Sequence, residues 1–352
     1  ALNTETIVLA ERITMREVEA GNQFVFEGVV DVLSGALQMR SDRLTLFADE
    51  PASSIAEPVV ADATAEDEPV LQIGTVKQVL AEGAVRIEQL DRVATADRVT
   101  FYPQQERSDL LGSPRIERGH AVVTGEFMQL THELSIVEGA AQLRVNVNEA
   151  VVSGARMELK PGLAIVHSAV DQRVKVVLPE IPNLGYGDLQ ALSLKPRKAG
   201  QAAAGVGLPR RETVVQSKTL RMIENADHTL FCFSEAVSVS ATNLNAICGR
   251  LDVTAVPVSS DSEAVRMTVE TIEAFDDVVF KQIGRIATAD QATIKPIEGK
   301  VVLEGNAVVT DESGRVAGHR MTLLQGQGRV IVEGGGPDGS RARMTLPEME
   351  SL

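Results

Sequence analysis

The sequence predicts an all-β protein built from two tandem copies of one domain. Apolar and polar residues alternate over short segments that recur at intervals of roughly ten residues, a spacing typical of antiparallel sandwiches and barrels. Convincing helical periodicity is missing throughout the chain. The third observation is an internal repeat, and a repeat decides the domain organisation before any other feature does.

The repeat is clearest in Val85–Phe101, VRIEQLDRVATADRVTF, which returns 193 positions later as VVFKQIGRIATADQATI. Eight of the seventeen residues are identical in the two segments: Val85, Gln89, Arg92, Ala94, Thr95, Ala96, Asp97 and Thr100. Downstream the spacing is kept, because Met128 and Leu130 return as Met321 and Leu323. The chain is therefore a tandem duplication.

Upstream the spacing of the repeat changes to 207, so that Phe26 and Val30 are matched by Phe233 and Val237. The first copy must then carry fourteen extra residues, and an acidic, proline-containing run at about 48–69 accounts for them as an exposed loop. A second segment of distinct composition, residues 181–211, is rich in Gly, Ala and Pro and is predicted to connect the two copies. The predicted domains are 1–180 and 212–352.

Strands are predicted wherever the alternation has period two. Near the start these are the segments around Ile7 and Leu9, around Ile13 and Met15, from Phe24 to Val32 with a bulge at Gly28, and around Leu44 and Leu46. Later segments are Val76–Leu80, Ala84–Glu88, Val93–Ala96, Arg98–Tyr102, Arg115–Glu117, Ala121–Thr124, Phe127–Leu130, Gln142–Val147, Val174–Leu178 and Ala342–Leu346. We expect the second copy to repeat this order.

Composition excludes several classes of function. A net charge of −15 argues against nucleic-acid binding, which needs clustered Lys and Arg. No apolar run approaches the eighteen or so residues of a membrane-spanning helix. With no Trp, two Tyr and nine Phe, the chain offers few flat rings for sugars or protein anchors, and its Val, Leu, Ile and Met suit alkyl chains better. A start at Ala1 is consistent with removal of a signal peptide.

No catalytic or metal motif is found in the sequence. The five His have no ligand spacing, and GxSxG, P-loop and GxGxxG patterns are missing. Asp276 and Asp277 are adjacent on a predicted strand and point to opposite faces, so they cannot flank one glycosidic bond. Asp97 and Asp290 favour a turn or strand-end role. Cys232 and Cys248 are compatible with one disulfide or with two half-buried thiols.

Several of these segments resemble the OstA-like domain of lipopolysaccharide transport, which occurs in LptA-type periplasmic proteins, in LptC and in the N-terminal part of LptD. The resemblance is carried by GVVDV at Gly28–Val32, by LEGNAVVT at Leu303–Thr310 and by ATAD followed by an alternating strand. Its most specific part is Gly112–Ile116 followed by Gly119 and the pair Gly125–Glu126. It covers roughly residues 20–178 and 220–333.

The resemblance implies two tandem open β-jelly rolls, each enclosing an apolar groove and able to stack end to end. It also implies a non-enzymatic periplasmic carrier or bridge that takes lipopolysaccharide acyl chains towards the outer membrane, with other Lpt-type envelope proteins as partners and no cofactor. The alternative is a structural or assembly module with a filled interior that pairs with envelope proteins through edge strands.

Strand parity selects the positions that are expected to face the groove. In the first copy they are Phe24, Phe26, Val30, Val85, Ile87, Val99, Phe101, Met128 and Leu130. In the second copy they are Phe233, Val237, Val278, Phe280, Ile294, Met321 and Leu323.

Overall fold

A computed structural model describes the chain at residues 6–19, 21–49, 74–146, 149–181, 184, 211–242, 244–258, 266–312, 314–324, 329–336 and 339–346. Most of the predicted acidic loop and of the predicted connection at 181–211 lies outside these residues. By compactness the chain divides into unit 1, Ala1–Ala141, and unit 2, Gln142–Leu352. The boundaries of the predicted domains follow the sequence repeat instead, and they stay a prediction.

The described chain is almost entirely antiparallel β-structure, which confirms the predicted fold class. Unit 1 contains β1 (Thr6–Leu9), β2 (Arg12–Val18), β3 (Gly21–Ser34), β4 (Leu37–Ala48), β5 (Val76–Gln89), β6 (Arg92–Tyr102), a 3₁₀ turn (Pro103–Gln105), β7 (Arg107–Leu111), β8 (Arg115–Arg118), β9 (Ala121–Thr124), β10 (Phe127–Leu130) and the start of β11 (Ser135–Val145). None of the described residues forms a helix of the length and apolarity that a bilayer span requires.

Unit 2 continues the same construction with thirteen further strands. They are β12 (Ala150–Lys160), β13 (Leu163–His167), β14 (Val174–Leu178), β15 (Thr213–Ser217), β16 (Thr219–Glu224), β17 (Thr229–Ala241), β18 (Leu244–Val258), β19 (Arg266–Gln282), β20 (Arg285–Lys295), β21 (Lys300–Asp311), β22 (Gly314–Leu324), β23 (Arg329–Glu333) and β24 (Arg343–Thr345). Strand positions agree with the alternation, and β9, β10 and β14 have the predicted bounds. The separately predicted Val76–Leu80 and Ala84–Glu88 form the single strand β5, and Val93–Ala96 and Arg98–Tyr102 form the single strand β6.

Long strands are interrupted near their middle, which the sequence indicates only in part. The predicted bulge at Gly28 is confirmed by a register shift between Glu27 and Val30 of β3. Equivalent shifts occur in β5, β17, β19 and β21. In β21, Gly305 and Asn306 both have positive φ, 71° and 49°. Two such residues in succession bend the strand, so its two halves pair independently.

The bends sort the half-strands of unit 2 into two rows. The C-terminal half of β17 pairs with β15, whereas its N-terminal half pairs with β16. Row A comprises β14, β15, β24, the C-terminal halves of β17, β19 and β21, and the N-terminal halves of β12, β18, β20 and β22. Row B comprises β13, β16, β23 and the remaining halves.

Asp97 and Asp290 lie at these bends, so the predicted strand-end position is wrong. Both occupy the middle of a strand, β6 and β20. The carboxylate of Asp290 occupies the space that a Cβ on Gly305 would need, and Asn306 Nδ2 donates to Asp290 Oδ2 at 3.0 Å. Asp97 lies against Gly112 in the same way. The two residues therefore pack across a bend, which a single sequence segment cannot reveal because the glycine comes from the next strand.

Candidate functional site

An apolar cavity of about 660 Å³ lies inside unit 2. Side chains of both rows line it, so the rows face each other across it. Row A contributes Val176, Val215, Val239, Leu244, Ala246 and Phe280, and row B contributes Met222, Phe231, Phe233, Val253, Ile272 and Ile294. The volume falls within the range of about 300–1,000 Å³ that is usual for small-molecule sites.

Polar groups are few on the walls of this cavity and none of them is basic among the described residues. Its acidic members are Glu149 and Glu180, and Thr213 and Thr268 contribute hydroxyls. Elsewhere the wall is hydrocarbon, so a bound molecule gains chiefly by burying apolar surface. An anionic group at the two carboxylates would be repelled.

The cavity is confined to one side of unit 2. No described residue of β21 or β22 lines it. There Leu303, Met321 and Leu323 are 3% exposed or less, so this side of the unit has a buried core. The unit thus combines an open part, lined by residues from β11 to β20 and the turn after β20, with a packed part.

Three of the sequence-predicted groove residues line the cavity, namely Phe233, Phe280 and Ile294. The other four in the second copy, Val237, Val278, Met321 and Leu323, are buried but do not line it. Of the first-copy set, Phe24, Phe26, Val30, Val85, Val99 and Met128 are buried, Ile87 and Leu130 are half-buried, and Phe101 is 40% exposed. Their contact with lipid stays a prediction.

The sequence missed the part of the wall that comes from β12, β14 and β15. Val152, Val176 and Val215 lie on strands that fall outside the duplicated segments or at their margin. Period-two alternation in Val174–Leu178 was a usable signal for a strand with one buried face. It could not show that this strand faces the second copy, because that depends on the pairing of β14 with β15.

A short row of polar residues lies at the turn end of row A, two positions beyond Phe280 on β19, and none of its members is among the residues that line the cavity. Gln282 is paired with Arg285 across the β19–β20 turn, and Arg285 is paired with Asp311 on β21. The guanidinium of Arg285, whose side chain is only 4% exposed, donates from Nη2 to Asp311 Oδ2 at 3.3 Å. This pair neutralises a buried charge at the edge of the apolar interior.

The two cysteines are free thiols, which decides between the two sequence alternatives. Burial raises the pKa of Cys248 to about 12. The pKa of Cys232 is raised by burial and by the nearby Asp252 carboxylate. Both thiols are protonated at neutral pH and are therefore poor nucleophiles. Among the described residues, no three His, Cys, Asp or Glu side chains are grouped to hold a metal ion.

Comparison with known proteins identifies a family whose model matches the sequence of this chain. Residues 8–134 and 212–329 each match the family described as LptA/(LptD N-terminal domain) LPS transport protein, and together they make up more than half of the chain. One similar solved structure is LptH, the LptA homologous periplasmic component of the conserved lipopolysaccharide transport device from Pseudomonas aeruginosa. It has 15% identity and a TM-score of 0.30, and the alignment covers 40% of this chain and 96% of LptH. A search among curated proteins finds no match.

Proposed function

Because the chain belongs to the LptA/LptD N-terminal family of lipopolysaccharide transport proteins, we propose that it is a non-enzymatic periplasmic carrier or bridge that holds lipopolysaccharide acyl chains in the cavity of unit 2. The observation that carries this proposal is the apolar wall of the cavity, which has only four polar side chains among the residues that line it. The family supplies the class of cargo, and the cavity supplies a place for its hydrocarbon.

The energetics suit a carrier that must release what it binds. Burial of a methylene group stabilises by about 0.8 kcal/mol, so a dozen methylenes contribute roughly 10 kcal/mol before costs. Most of this is offset because a lipid leaving the protein buries the same chains in a membrane. The net preference for either location is small, and transfer can proceed in both directions.

The negative charge of the protein favours recognition through the acyl chains, with the polar head of the lipid near solvent. The chain has a net charge of −15, and Glu149 and Glu180 lie on the cavity wall. A phosphorylated head would be repelled by both, whereas a neutral hydrocarbon is unaffected.

Site-specific photo-crosslinking tests the proposal. A photoreactive residue at Phe280, on the cavity wall, should capture purified lipopolysaccharide, and the same residue at its exposed neighbour Lys281 should not. The pair Ile87 and Arg86 tests the predicted groove of the first copy in the same way. Capture from Lys281 and Arg86 but not from Phe280 or Ile87 would refute a lipid-filled interior.

A second role, assembly through edge strands, is favoured by one feature of unit 1. Among the described strands, β1 and β2 pair with β3 alone, and they expose Ile7, Leu9 and Ile13 by 45%, 54% and 58%. We propose that this apolar edge pairs with a strand of another Lpt-type protein. Replacement of Ile13 by Lys should abolish such an assembly in sedimentation experiments while lipid capture from position 280 persists. Loss of both properties together would contradict separate roles for edge and cavity.

A further inference from the structure

The wall that row B gives to the cavity is built in cross-strand layers. The layer next to the bends, called the floor below, is paired in register across β17, β18, β19 and β20 and consists of Phe233, Leu251, Ala274 and Ala292. The next layer lies two residues further from the bends and consists of Phe231, Val253, Ile272 and Ile294. All eight residues line the cavity, so depth in it can be counted along a single strand.

The cavity is closed on the side of the bends. Each floor residue is 4% exposed or less, and each lies one position from the register shift of its strand. On the row A side of the bends, Val237, Cys248 and Val278 are also 4% exposed or less and do not line the cavity. Solvent therefore does not reach the cavity past these residues.

The cavity opens at the strand ends that are remote from the bends. Of the described residues that line it, those that are exposed all lie in connections beyond such ends, and they are Glu149, Pro179, Glu180 and Ile297. Ile297, in the turn between β20 and β21, is 69% exposed. The two lining hydroxyls, of Thr213 and Thr268, are also within two residues of an outer strand end. We call this open, partly polar side the mouth.

The distance from floor to mouth corresponds to a definite length of hydrocarbon. A polar head is costly to bury and stays at the mouth, so an alkyl chain enters with its methyl end towards the floor. Ala292 and Ile297 are five residues apart, which spans about 16 Å at the rise of a strand. An extended chain of single bonds advances about 1.2 Å per bond, as the three backbone bonds of a residue do. The depth therefore matches about thirteen carbons.

We propose that Ala274 and Ala292 determine the length of acyl chain that the cavity accepts, about thirteen carbons; this rests on the proposed lipid-binding function. The two alanines are paired with each other and are the smallest side chains of the floor, so they form its deepest point. Each methylene up to that length leaves water for the apolar wall, whereas further methylenes stay at the mouth and gain little. A larger side chain at either position shortens the accepted chain.

A series of uncharged n-alkyl maltosides, from octyl to hexadecyl, tests the inference on the full chain. Each is titrated as a monomer, and its affinity is measured by displacement of the neutral fluorescent probe N-phenyl-1-naphthylamine. For the wild-type chain the affinity should rise about fourfold with each added methylene, as burial of one methylene predicts. The rise should stop at about thirteen carbons.

Two variants and one control locate the break in the series. Ala292→Leu adds a branch that reaches about two bonds further into the cavity, so the break should move to about eleven carbons. Ala274→Leu should give a similar shift from the neighbouring strand. Ala226→Leu adds the same atoms at an exposed position in the turn between β16 and β17, which does not line the cavity, and should leave the break where it is.

The outcomes distinguish this inference from the proposed function. An affinity that continues to rise fourfold per methylene up to hexadecyl maltoside in the wild-type chain would overturn the length limit and leave lipid binding intact, and this result needs no variant. A break that stays in place in both Ala292→Leu and Ala274→Leu would overturn the role of the two alanines. If no maltoside binds, the proposed lipid-binding function fails, and the length limit falls with it.

Discussion

The same Gln and Arg occur at equivalent places in both copies of the repeat, yet the two pairs have opposite environments. Gln89 and Arg92 are exposed in the first copy, whereas the Arg285 residue is 5% exposed in the second and lies beside the buried amide of Gln282. Each Gln is paired with its Arg across a strand turn. The pairing of Gln with Arg is therefore the same in both copies, although the turn between them is Leu90-Asp91 in the first copy and Ile283-Gly284 in the second. The strand next to the Arg differs as well.

The residue that faces the Arg from the next strand has opposite charge in the two copies, and this can explain the difference in burial. Arg285 is paired with Asp311, but Arg92 is paired with Arg118. Two guanidiniums that face each other across a sheet repel, so the first copy keeps both in water and Arg118 donates to Asp91 at 3.0 Å. We therefore expect the charge on the adjacent strand to decide whether these polar residues are buried beside an apolar interior.

The largest effect is expected when the second copy is given the residue of the first. Asp311→Arg places a like charge against the buried Arg285, and we expect a loss of about 3–5 kcal/mol in the free energy of unfolding, measured with denaturant. The reciprocal change Arg118→Asp replaces an exposed side chain and should alter the free energy of unfolding by less than about 0.5 kcal/mol. Similar losses in the two variants would show that burial at this row does not depend on the partner charge.

A smaller effect is expected where the copies differ in exposure of one apolar residue. Ile294 is 4% exposed and lines the cavity, whereas its counterpart Phe101 is 40% exposed. Ile294→Ala should cost about 2–4 kcal/mol in the free energy of unfolding. Phe101→Ala removes a larger side chain but should cost less, because much of the ring already contacts water. A greater loss for Phe101→Ala would show that this ring is covered in solution.

Removal of the buried amide should stabilise the protein. Gln282→Met deletes a donor and an acceptor that have no described partner, and we expect an increase of about 1 kcal/mol in the free energy of unfolding of the ligand-free chain. The change Gln89→Met should have an effect within about 0.5 kcal/mol of zero. Destabilisation by Gln282→Met would mean that the amide is hydrogen-bonded in solution.

The differences between equivalent residues of the two copies also show which features could be predicted from the sequence alone. Alternation of period two located the strands, and the duplication aligned Phe280 with Ile87 and Ile294 with Phe101. Parity then assigned both members of each pair to an interior, which describes Ile294 but not Phe101. Parity reports which face a residue occupies, whereas exposure depends on what covers that face. The partners that cover it come from strands distant in sequence, such as β14 and β15.

The smallest effect concerns Asp91, an exposed carboxylate of the first copy that accepts a hydrogen bond from Arg118. The hydrogen bond from Arg118 lowers the pKa of Asp91 below its ordinary value, and this bond outweighs the opposing effect of desolvation. Because the folded-state pKa is lower than the unfolded one, any contribution to stability is present above the unfolded pKa and is lost as pH falls through the folded value. NMR titration of the carboxyl carbon should therefore show Asp91 titrating at lower pH in the wild-type chain than in Arg118→Gln. Identical titration curves would mean that Arg118 does not form this hydrogen bond with Asp91 in solution.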